Sequence, residues 1–205
     1  MAKKKSKKKY KPGSAGNIIY IFPVLPGISG LAAVAVCENV VYTIVWGTVM
    51  VLLVFWSVAG SLKNQHQNIK WRSFTIVVNG DVAAFFSLIP FWGVFGKPLW
   101  LFILLAALFS LSMVITHCYK YDIANGIWSG GKTRFGKMFY LISFIFVFLS
   151  GGGTYGFTRN LQVFLGYNTT LVILSVCLLP FSFIMLMAFH CQWLSIKDPN
   201  WRPND

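Results

Sequence analysis

The sequence predicts an all-α membrane protein: six transmembrane helices in three hairpins, with both termini cytoplasmic. Three observations predict it. Hydrophobic residues make up 56% of the 205 and charged residues only 11%, whereas a soluble domain carries roughly a quarter charged residues. Apolar stretches of about 20 residues, each able to cross ~30 Å of hydrocarbon, recur along the chain. The basic residues fall on one side once those stretches are drawn as spans.

The spans run over 17–36, 40–62, 73–95, 98–119, 138–157 and 169–194. The first is the least regular, because Pro23, Pro26, Gly27 and Gly30 interrupt it. Loop charge decides whether it counts. Seven lysines lie in the N-terminal tail (Lys3, Lys4, Lys5, Lys7, Lys8, Lys9, Lys11). Lys63, Lys70 and Arg72 follow span two, and Lys120, Lys132, Arg134 and Lys137 follow span four. Lys197 and Arg202 follow span six. Only Lys97 and Arg159 lie in the alternate loops. Six spans therefore put 16 of the 18 basic residues on one face. Five spans would divide them evenly. Cytoplasmic loops carry the positive excess, so six spans are expected in a cell membrane. The domains are then a basic tail (1–16), a six-helix body (17–194) and a C-terminal tail (195–205).

A basic tail, an apolar stretch and Ala33-Val34-Ala35 resemble a signal peptide, but two prolines inside the stretch favour a retained span. The net charge of +13 is topogenic and needs no nucleic acid. Lys3, Lys4, Lys5, Lys7, Lys8 and Lys9, with Lys132, Arg134 and Lys137, are candidates for anionic lipid headgroups, each worth about 1 kcal/mol near such a surface. The cysteines Cys37, Cys118, Cys177 and Cys191 lie at depths that make no secreted disulfide pattern.

The segment from His117 to Trp128 matches that from His190 to Trp201 at four positions, offset by 73: histidine, cysteine, isoleucine and tryptophan. An internal duplication is one reading, and chance similarity among aromatic-rich spans the other. Trp71, Trp128, Trp193 and Trp201 sit where an interfacial aromatic belt belongs.

Gly126, Gly131, Lys132 and Thr133 match the P-loop expression letter for letter. That chemistry needs a strand-to-helix turn in a βαβ core, and here a transmembrane span precedes the motif. Gly27, Ser29 and Gly30 match a G-x-S-G serine-protease pattern, but both candidate histidines lie toward the opposite face. His117, Cys118, His190 and Cys191 share one depth and are a candidate soft-metal set. Adjacent helical residues diverge by about 100°, so one ligand per pair is the easier geometry.

Asp81, with Asn79 beside it, is the candidate intramembrane polar site. A carboxylate within a span costs several kcal/mol unless paired, solvated or protonated. Glu38 and Asn39 can sit in water at the outer end of the first hairpin. Gly151, Gly152 and Gly153 either break span five or allow close helix packing. Pro90 and Pro180 kink spans three and six, and Asn168-Thr169-Thr170 is a sequon on the outer side.

These features predict a non-enzymatic membrane subunit of a larger assembly, or alternatively a small-solute or ion transporter with Asp81 in its pathway. Neither catalytic residues nor a cofactor are implied. The expected partners are the bilayer with its anionic headgroups, and other membrane subunits or further copies of the chain.

Overall fold

The computed structural model describes residues 23–63, 65, 68–130, 132–149, 155–199 and 201. Among them every regular element is helical. In chain order they are α1 (Val24–Cys37), α2 (Val40–Leu62), α3 (Ile69–Val94), α4 (Leu99–Cys118) and α5 (Lys120–Trp128). Then come α6 (Arg134–Leu149), α7 (Tyr155–Leu165), α8 (Tyr167–His190) and α9 (Trp193–Lys197).

Among the described residues four segments are long and apolar enough to cross a membrane: α2, α3, α4, and α8 continued through α9 to Lys197. Their apolar composition fits an integral membrane protein. The described parts of the other two expected spans are shorter. Helix α1 has 14 residues and α6 has 16, which at 1.5 Å per residue reach about 21 and 24 Å. Residues 17–22 and 150–154, at the ends of these two spans, lie outside the described residues. So do the lysines of the N-terminal tail and Gly151–Gly153.

Helix α3 is the centre of the bundle. It packs most extensively on α8 and α1, and only lightly on α4, its partner in the expected hairpin. The reason lies in its side chains. Gly80, Ala83, Ala84 and Ser87 are all buried, and such small residues let helix backbones approach closely in a bilayer, where packing rather than water exclusion drives association. A Cβ on Gly80 would collide with Phe189 of α8. Ser182 of α8 donates a hydrogen bond to the Ala84 carbonyl across the same seam, and Ala84, Leu88, Phe109 and Leu186 close it with apolar contact.

Sequence-local signals set the ends of these helices. The Asn68 side chain accepts from Lys70 N and starts α3. The Asn39 side chain accepts from Val41 N and Tyr42 N and starts α2, so Asn39 is a cap. Lys97 Nζ donates to the Cys37 carbonyl, placing a cation on the C-terminal end of α1, where the helix dipole favours one.

Helix α2 is held mainly by tryptophans. Trp56 stacks on Trp71 with centroids 6.1 Å apart, and its indole N–H reaches Thr75 Oγ1 at 3.2 Å. Gly60 makes room for the Trp71 ring.

The loop expected over 120–137 is largely helix α5. It packs with α9 around Ile123, Ala124, Ile127, Cys191 and Leu194. Trp201, assigned by sequence to the tail, packs against this cluster and meets Trp128 at 5.5 Å.

Candidate functional site: a buried Asp-His-His chain

Asp81 lies about 18 Å along α3 from Ile69, on the side that faces α8. Gly80 brings the backbones together at that level. His190, the last residue of α8, therefore reaches the carboxylate: His190 Nδ1 is 2.7 Å from Asp81 Oδ2. The side chains are 3% and 13% exposed, respectively. Asp81 Oδ1 is buried without a hydrogen-bond partner.

The other nitrogen of His190 continues the chain. His190 Nε2 lies 3.4 Å from Nδ1 of His117, near the end of α4. That is long for a formed hydrogen bond. His117 is only half buried. Lys120 Nζ donates to the His117 carbonyl at 2.9 Å, which supplies positive charge at the C-terminal end of α4.

Trp193 of α9 covers both imidazoles. It lies nearly parallel to His190, at 14° with centroids 6.2 Å apart, and edge-on to His117 at 5.7 Å. Phe74 of α3 packs edge-on against Trp193. Five elements thus supply the site: α3, α4, α5, α8 and α9.

The structure separates the residues that sequence grouped as a metal set. His117 and His190 meet. Cys118 is exposed, whereas Cys191 is buried with its thiol turned to the Ala188 carbonyl. Among the described residues no group of three or more His, Cys, Asp or Glu is placed to hold a metal ion. Helical geometry explains this, because neighbours on one helix cannot face one point. The His-Cys pairs matter through their histidines. Two of the four residue types shared at the 73-residue offset are in contact with their counterparts: His117 with His190 and Trp128 with Trp201.

Asn79 sits on a different side of α3 from Asp81. Its Nδ2 donates to the Thr75 carbonyl at 2.8 Å and its Oδ1 has no partner. It does not join the histidine chain. Ser29 Oγ bonds within its own helix, to the Leu25 carbonyl. Of the P-loop-like letters, Gly126 lies inside α5 and Thr133 Oγ1 accepts from Gly136 N at the start of α6, while Gly131 lies outside the described residues. Lys132, Arg134 and Lys137 are exposed there.

Sequence reasoning missed Trp193 as a site residue and missed the pairing of Asp81 with His190. Asn68 carried the signal: a cap at that position starts α3 four residues earlier than the apolar run does. Comparisons with protein-family models, with curated proteins and with solved structures find no match to this chain.

Proposed function

We propose that this protein moves a small cation across a membrane, with Asp81 in the pathway. The single observation that carries the reading is the state of that carboxylate. One oxygen takes a hydrogen bond from a histidine on another helix, and the other is buried with no partner. An unsatisfied carboxylate oxygen among apolar helices is costly. A passing cation, or water accompanying it, satisfies it. On this reading the His117 end faces the cytoplasm, because the basic residues gather there.

A second reading, a membrane subunit of a larger assembly, is favoured by α2. Of its 23 residues only Leu53, Ser57 and Gly60 are buried, so most of the helix is available to lipid or to a neighbouring chain.

The test is ion flux into liposomes holding the purified full chain, comparing wild type with Asp81→Asn. Asparagine keeps an acceptor for His190 and removes the charge. The proposal expects flux to fall at least tenfold while the variant remains monodisperse. Equal flux in the two proteins removes Asp81 from the pathway. Stoichiometric partner chains in gently extracted native membranes, with no flux by the isolated chain, favour the subunit reading instead.

A further inference from the structure

We infer that the cation is a proton, and that His117 and His190 relay it to Asp81. The inference rests on the transport reading above and goes further, because the geometry sets a carboxylate, a buried histidine and a half-buried histidine in line.

With Asp81 ionised, Oδ2 can only accept, so the 2.7 Å contact places a proton on His190 Nδ1. A neutral imidazole carries one N–H, so His190 Nε2 then holds a lone pair. That lone pair faces Nδ1 of His117 at 3.4 Å, and in the tautomer that carries its proton on Nδ1 His117 is the donor. His117 Nε2 is left as the basic end of the chain. It belongs to the half-buried ring, the member of the pair that is open to the outside.

The transfer balances without any further reagent. A proton from water binds His117 Nε2. The His117 Nδ1–H bond breaks as a bond forms from that proton to His190 Nε2. The His190 Nδ1–H bond breaks as Asp81 Oδ2 takes its proton. One proton has entered and the carboxylate has become a carboxylic acid. Both imidazoles are again neutral, and each hydrogen bond is kept with its polarity reversed. Rotation of the acid presents its proton to water in the pathway, and the starting polarity returns when each imidazole tautomerises through water, which gives a proton to Nδ1 as it takes one from Nε2.

No metal cation has an equivalent place. Both nitrogens of His190 are committed to the chain, and a third ligand is missing among the described residues. The groups that act on the chain from its packed elements are Lys120 of α5 and Lys197 of α9, beside His117, and Cys191 next to His190. Trp193 is a positioning residue: it packs against both rings and holds them in register.

The test uses liposomes containing the full chain and a trapped pH dye, with membrane potential clamped by potassium and valinomycin. Sodium flux is measured in parallel. Wild type is expected to carry protons, Asp81→Asn and His190→Gln to lose at least tenfold, and His117→Ala to lose a similar factor. Imidazole added to the buffer is expected to restore His117→Ala, because the free base can occupy the vacated end. A purely structural role for His117 gives no such rescue. Proton flux that is unchanged in His117→Ala, or lost without imidazole rescue, overturns the relay. Sodium flux that depends on Asp81, without proton flux, overturns the relay and leaves the transport reading standing. Absence of any Asp81-dependent flux overturns both. Should His190→Gln fail to fold, the His117 variant still decides, because that ring is half exposed.

Discussion

His190 Nδ1 and Asp81 Oδ2 stand 2.7 Å apart across the α3–α8 seam, with 109 residues of chain between them. The contact exists because a glycine precedes the aspartate. Gly80 sits under Phe189, and the next residue of each helix completes the pair. Packing and polarity are therefore two aspects of one feature.

Replacement of Gly80 tests that link. Gly80→Leu drives a side chain into Phe189 and separates α3 from α8. Overpacking of this kind costs about 1–3 kcal/mol, and the histidine contact is lost with it. Gly47→Ala is the matched control, because a Cβ there meets nothing within 4 Å, and alanine gains up to about 1 kcal/mol in helix propensity. Thermal unfolding in detergent is expected to show a lower midpoint for the first and an equal or higher one for the second.

Asp81→Leu is expected to be less stable than Asp81→Asn. Leucine leaves the buried His190 N–H without an acceptor, a loss of about 1–3 kcal/mol, whereas asparagine still accepts. Unfolding midpoints of the two variants give the comparison.

Thiol labelling reports the packing at the ends of α4 and α8. Cys118 is exposed, while Cys37 and Cys191 are buried. A maleimide is expected to modify Cys118 promptly and to reach Cys37 and Cys191 only after denaturation. An impermeant maleimide applied from either side of sealed membranes also assigns the side on which the His117 end lies.

Trp56→Phe isolates the attachment of α2. The ring stacking on Trp71 is partly retained, and the hydrogen bond to Thr75 Oγ1 is lost. The expected cost is about 1 kcal/mol, read as a lower unfolding midpoint. Trp193→Ala, in contrast, is expected to reduce ion flux severalfold, with Trp193→Phe recovering most of it.

The apolar runs in the sequence were enough to locate α2, α3, α4 and α8 within a few residues. Their pairing was not legible. Hairpin logic assumes that neighbours in sequence pack together, but in a bilayer small residues choose the partners, and Gly80 and Ala84 select α8. Asp81 stood out as an intramembrane carboxylate from composition alone. Its partner did not, because the apolar run begins at Ser73 and gives no sign of the helical turn that the Asn68 cap adds before it. Helix α3, at 26 residues, is about 39 Å long, and its midpoint, where Asp81 lies, is level with the ends of α4 and α8. Trp193 looked like an ordinary belt residue, since its role depends on the turn between α8 and α9.

The central claim is a polar chain inside an apolar bundle. Solid-state NMR of the chain in bilayers, with histidine labelled in both ring nitrogens and aspartate at its carboxyl carbon, measures it directly. The account predicts that His190 is protonated on Nδ1, with dipolar coupling between that nitrogen and the Asp81 carboxyl carbon, and that this coupling disappears in Asp81→Asn, which lacks the labelled aspartate. A His190 protonated on Nε2 alone, or one showing no coupling to Asp81, would contradict it.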